Sequence, residues 1–141
     1  MPGRADGPMG TFNVTIELGN LEQTRSESVR AMVDTGCTYA VVPRPLLERL
    51  GVRPIDREPF TLADGTVVEH DVGYAFARLQ GKEGPTKCVF GEPDAEPLLG
   101  AVTLEQFLFS VDPVNEQLVP VRGKMMSTRR PEPEASEPQG G

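Results

Sequence analysis

Tryptophan is absent from this 141-residue chain, histidine occurs once and cysteine twice. No apolar run approaches the ~20 residues that a membrane-spanning helix needs. The first ten residues, MPGRADGPMG, contain no apolar core of the kind a secretory signal carries. These two absences argue for a cytoplasmic protein that does not engage a membrane, in which Cys37 and Cys88 are thiols rather than a disulfide. His70, Cys37 and Cys88 lack metal-ligand spacing and cannot furnish a zinc site or a Cys/His nucleophile, so no metal and no cofactor are expected. Positive charge is also short. The formal net charge is -7, and the tail's Lys124, Arg129 and Arg130 are offset by Glu132, Glu134 and Glu137, which leaves the acidity on the body. An acidic body repels nucleic acid and anionic lipid, so neither is an expected partner.

What is present is a succession of short strands punctuated by glycine and proline. Residues 1–10 read as a flexible N-terminus, 11–122 as one domain, and 123–141, rich in Pro, Glu and Ser, as a disordered tail. TFNVTIEL alternates Phe12, Val14, Ile16 and Leu18 on one face, the two-residue period of a half-buried strand. SVRAMV and TYAVV, EPFTLADGTVVEH with its Asp64-Gly65 turn, VGYAFARL, PTKCVF and a last strand around Gln117–Val121 continue the pattern. Two short helices interrupt it. PRPLLERLGV has Pro45 at its start and Gly51 past its end. VTLEQFLF aligns Leu104, Phe107 and Leu108, with Thr103 and Gln106 fitting a capping box. The expectation is an all-β body with two helical turns.

One position breaks the apolar pattern. In SVRAMVDTGCTYAVV, Asp34 stands where a core-forming strand ends, followed by Thr35 and Gly36. Ordinary turn chemistry accounts for an isolated Asp-Thr-Gly. Between two apolar strands, however, a carboxylate is costly to hold without hydrogen bonds. A second feature lies far along the chain, where Leu98-Leu99-Gly100 leads into the second helix and suggests a strand end pressed against another backbone. His70, between Glu69 and Asp71, reads as part of a solvated face, and Cys88 as a core thiol.

In this order and spacing, the apolar strand into Asp34-Thr35-Gly36, the hairpin at Ala63-Asp64-Gly65-Thr66, the strand ending in KCVFGE, and Leu98-Leu99-Gly100 before a short helix resemble the retropepsin-like aspartic proteases, single-domain relatives of pepsin. The resemblance spans roughly Phe12 to Val121, and the helix from Pro45 to Leu50 is similar to that of cellular and prokaryotic members. It implies a closed barrel-type fold with one Asp-Thr-Gly per chain, completed as a two-fold homodimer. It implies an aspartic endopeptidase in which Asp34 of each subunit holds the catalytic water. Thr35 would bond across the two-fold axis, Gly36 would bring a backbone N–H to the carboxylate, and Cys37 would support the loop. Ala63, Asp64, Gly65 and Thr66 would be the tip of a flap over an extended peptide substrate, and Leu98, Leu99 and Gly100 would pack under the catalytic loop. The chain departs from the family pattern at three points: Cys37 stands where Ser, Thr or Ala is usual, Ala101 where viral members have arginine, and the hairpin tip has one glycine. The competing reading is a non-catalytic dimerisation or peptide-binding module on the same fold. A phosphoryl-transfer hydrolase fits poorly, because its second acid would fall on Gly36.

Overall fold

The computed structural model describes residues 11–127. In chain order its elements are β1 (Phe12–Gly19), β2 (Ser26–Val33), β3 (Ala40–Pro43), α1 (Arg44–Leu50), β4 (Asp56–Thr61), β5 (Val67–Leu79), β6 (Lys82–Gly91), β7 (Leu98–Leu99), α2 (Ala101–Gln106), β8 (Phe109–Asp112) and β9 (Gln117–Pro120). The expected N-terminal segment 1–10 lies outside the described residues, as does 128–141 of the expected tail; residues 123–127 form no helix or strand and are exposed.

The strands lie in the order β1-β2-β7-β3-β6-β5-β4, and a further pairing of β1 with β5 joins the first to the sixth. Six strands therefore close into a barrel, with β4 attached outside it to the first half of β5. Closure leaves no long edge on the ring, which is how a small β domain avoids unpaired backbone. The alternation in β1 works as the sequence suggests: Phe12, Ile16 and Leu18 are buried and pack with Ala31 and Val33 of β2, Leu79 of β5 and Phe90 of β6. β5 and β6 are joined through Gln80 and Gly81, both at positive φ (48° and 87°), the two-residue turn that suits the right-handed twist of paired strands.

α1 ends at Gly51, whose N–H bonds the carbonyl of Glu48, and it buries Leu47 and Leu50. α2 differs from the capping-box expectation. It starts at Ala101 with no side-chain cap, and Thr103 is buried within it, its hydroxyl 3.3 Å from that of Thr86. The reason is that other carbonyls accept the helix's first N–H groups: Cys37 takes Ala101 (2.8 Å) and Thr38 takes Val102 (2.9 Å). A helix start satisfied by a neighbouring loop needs no capping side chain. Leu108, expected on the helix, lies beyond it at φ 60° and is exposed, whereas Leu104 and Phe107 are buried.

β8 and β9 form a separate two-stranded sheet, through which Phe109 and Leu118 join the core. Among the described residues, no helix is long and apolar enough to cross a membrane.

Candidate active site

Two parallel strands meet at the site. β2 and β7 pair through Met32 with Leu98 and Val33 with Leu99. The residues that follow, Asp34 and Gly100, therefore emerge side by side. The N–H of Asp34 donates to the carbonyl of Leu99 (3.0 Å), and that of Met32 to Pro97 (2.9 Å). Leu98 also pairs with Val41 of β3, so the two-residue β7 fills the gap between the strands on either side of the Asp-Thr-Gly turn.

The turn is held by its own atoms. Gly36 N–H donates to Asp34 Oδ1 at 2.9 Å, and Cys37 N–H to the Asp34 carbonyl at 3.1 Å. Asp34 is half-buried, Thr35 and Gly36 are exposed, and no described cation forms a salt bridge with Asp34. Cys37 is half-buried, and its thiol pKa is raised, first by burial and then by the negative charge of Asp34. It is thus a neutral thiol beside the acid, poorly suited to act as a nucleophile. Cys88 lies wholly in the core, and burial pushes its pKa up to about 12. Both cysteines are free.

Gly100 is where the two halves of the site touch. A Cβ there would lie 2.6 Å from the carbonyl oxygens of both Cys37 and Tyr39. Only a residue without a side chain permits the start of α2 to sit against the loop.

A cleft of about 640 Å³ opens from Gly36 and Cys37 toward the β4–β5 hairpin. The hairpin lines it with Pro59, Thr61 and Leu62 and, from one face, with Glu58 and Phe60 of β4 and Val68 and His70 of β5, which are cross-strand partners (Glu58 with His70, Phe60 with Val68). Tyr39, Val41 and Val89 come from the barrel side. Tyr39 meets Phe60 edge-on at 6.2 Å between ring centroids, and Phe60 lies 6.4 Å from the His70 ring. Lys87 of β6 donates to Glu58 at 2.7 Å and sits 4.6 Å from the centroid of the Tyr39 ring. Its pKa is raised, chiefly by that bond to Glu58.

The hairpin tip is a different kind of structure. Asp64 Oδ1 accepts from the hydroxyl (2.7 Å) and the N–H (3.0 Å) of Thr66, contacts that lower the Asp64 pKa, and Gly65 N–H donates to Leu62. Ala63, Asp64, Gly65 and Thr66 are all exposed and do not line the cleft; Phe60, Thr61 and Leu62 just before them do.

The sequence-selected residues therefore fall into two groups: Asp34 to Cys37 with Leu98 to Gly100 at one end of the cleft, and the tip residues beyond the other. Sequence reasoning missed Tyr39, Glu58, Phe60, Val68, His70 and Lys87. His70 corrects the solvated-face reading, since it is half-buried, its Nδ1 is 3.0 Å from the Phe90 carbonyl, and its ring lines the cleft. Successive residues on a strand face opposite ways, so Glu69 and Asp71 report on the other face. The two-residue period through Glu58 and Phe60, and through Val68 and His70, was the signal that could have grouped them.

Among the described residues, no three His, Cys, Asp or Glu side chains group as a metal site. A family model for aspartyl proteases matches residues 13–102. No curated protein matches the chain in sequence. Among solved structures, the EIAV protease complexed with the inhibitor HBY-793 aligns with TM-score 0.55 and 15% identity, over 75% of this chain and 93% of that one. The Simian Foamy Virus (mac) protease gives 0.46 and 23% over 65% and 92%, and a retropepsin-like aspartic protease from Rickettsia conorii 0.48 and 21% over 71% and 76%.

Proposed function

The chain belongs to the aspartyl protease family, and from that premise we propose that it is an aspartic endopeptidase acting as a two-fold homodimer. The observation that carries this reading is the single Asp-Thr-Gly, whose carboxylate is held by the Gly36 N–H beside a cleft large enough for substrate side chains. One carboxylate is half of the pair that the chemistry requires. A second copy, related by a two-fold axis at the exposed Thr35-Gly36 turn, supplies the other. Thr35 of each chain then bonds across the axis, and β9 offers its edge to the partner.

In that dimer two facing carboxylates cannot both ionise, so they share one proton. The ionised Asp34 takes a proton from a water held between them while the protonated one donates to the scissile carbonyl oxygen. The resulting tetrahedral intermediate collapses to a carboxylic acid and an amine, with no metal and no covalent enzyme intermediate. The substrate is an extended peptide, bonded through its main chain to the hairpin and to the floor of the cleft. The hairpin from β4 to β5, with Ala63 to Thr66 at its tip, acts as the flap, while Leu98 to Gly100 buttress the catalytic loop from below. We place the enzyme in the cytoplasm, with domain bounds at 11–122 and a dispensable tail.

Mass spectrometry of peptide products tests the chemistry. Asp34→Asn is expected to lower cleavage by about a thousandfold or more while the fold persists, and chelators are expected to change nothing. Cleavage of the same bonds at an unchanged rate by Asp34→Asn would overturn the proposal.

A further inference from the structure

The cleft beside Asp34 is apolar on most of its walls, through Tyr39, Val41, Phe60, Val68 and Val89. Its polar groups differ in what they have left to offer. Glu58 is engaged by Lys87 at 2.7 Å. Thr38, Thr61 and Glu92 stand at the exposed rim. His70 is half-buried among the apolar walls, and only one of its two ring nitrogens is used.

That use fixes the chemistry of the other. A carbonyl oxygen can only accept, so Nδ1, 3.0 Å from the Phe90 carbonyl, carries a proton and donates. Nε2 hydrogen-bonds to no described residue. It accepts when the ring is neutral and donates when the ring is protonated. A partner that satisfies it in both states must itself donate and accept, as a hydroxyl does. Such a hydroxyl must also arrive on a body that can cover Phe60, Tyr39 and the three valines.

Resting on the endopeptidase reading, we propose that this cleft is a side-chain subsite selective for tyrosine over phenylalanine, with His70 Nε2 as the residue that reads the phenol hydroxyl. The ring of the substrate tyrosine packs on the apolar walls, its edge toward Phe60, and its hydroxyl meets Nε2. Phenylalanine fills the same walls but leaves Nε2 without a partner, in a place where water has been displaced. A site that hydrogen-bonds a substrate hydroxyl penalises the analogue lacking it, and for one bond in an open cleft the expected discrimination is about tenfold.

The test uses two pooled decapeptide libraries, randomised except for a central tyrosine or a central phenylalanine, with products identified by mass spectrometry. The wild-type protein should favour cleavage beside tyrosine by about tenfold in kcat/KM. His70→Phe should bring that ratio close to one, and His70→Gln, which keeps a group able to donate and accept, should retain most of it. An equal ratio in wild type and His70→Phe overturns the subsite. Should His70→Phe fail to fold, the wild-type ratio together with His70→Gln decides.

Because the chain has one histidine, its imidazole NMR signals are an unambiguous second readout that needs no catalysis. Titration with N-acetyl-tyrosinamide should move them well beyond N-acetyl-phenylalaninamide at equal concentration. If the protein cuts neither library but the tyrosine derivative alone moves the His70 signals, the endopeptidase reading falls and the subsite stands. If neither derivative moves them, or both do so equally, the subsite falls.

Discussion

The loop around Asp34 lies at one end of the cleft and the tip of the β4–β5 hairpin beyond the other, and both are turns built on Asp, Thr and Gly. The first is fixed from outside as well as by its own bonds: Leu99 accepts from Asp34, Cys37 and Thr38 accept from α2, and Gly100 lies against two carbonyls. The second, among the described residues, is fixed only from within, by Asp64 and Thr66 and the bonds between Leu62, Gly65 and Thr66. Similar residues thus give a turn tied to neighbouring elements in one place and a turn tied to its own hairpin in the other. The difference lies in what the surrounding chain presents to them. On the proposed endopeptidase reading, placing the carboxylate needs a fixed frame, whereas admitting a peptide needs a cover that can lift.

Two glycine substitutions test that contrast most strongly. Gly100→Ala places a methyl group 2.6 Å from two backbone oxygens that cannot swing aside, and it should destabilise the fold by about 3 kcal/mol in urea unfolding. Gly65→Ala meets no atom within 4 Å and suffers only from its positive φ of 88°. Its cost should be about 1 kcal/mol, with the cleft residues unmoved in NMR spectra. Equal costs at the two positions would remove the distinction between a packed turn and a free one.

Lys87→Met sharpens the comparison at the hairpin base. It keeps an apolar stem near Tyr39 but removes the bond to Glu58, one of the ties between β4 and the barrel. Global stability should stay within about 1 kcal/mol of wild type. Hydrogen exchange of the β4 amides should quicken while that of β2 does not. Faster exchange in both strands would mean that the hairpin and the loop move as one body.

The smallest effect concerns acid. Asp71 of β5 bonds Arg44 of α1 and Arg57 of β4, and these contacts, Arg44 first, hold its pKa below the usual carboxylate value. A lowered folded-state pKa contributes stability that is present above the unfolded value of about 4 and is lost as pH falls through the folded one. Thermal melts should therefore decline on acidification below about pH 4, and Asp71→Asn should flatten that decline. An unchanged acid limb in Asp71→Asn would show that the ion pairs do not matter to the hairpin base.

The barrel was largely legible because its strands obey local rules. Phe12, Ile16 and Leu18 alternate, Asp64-Gly65 marks a turn, and Gly51 marks a helix end. The position of Asp34 was legible for the opposite reason, as an acid interrupting an apolar pattern. What could not be read were features set by contacts distant in sequence. The closure of β1 on β5 joins residues about sixty apart, such as Glu17 and Arg78. The two-residue β7 is defined by its neighbours rather than by its own propensity. Thr103 could not be told from a cap without knowing that Cys37 and Thr38 supply the acceptors. His70 was misread because its chain neighbours lie on the other face of β5.

The central claim is that a working site needs Asp34 from two chains, and mixing chains tests it most directly. Wild-type and Asp34→Asn proteins are combined in equal amounts at constant total concentration, left to exchange subunits, and assayed for peptide cleavage. If each site takes one carboxylate from each chain, random pairing leaves about one quarter of the wild-type rate. A rate of about one half, with light scattering showing active monomers, would mean that each chain acts alone, and would contradict the account.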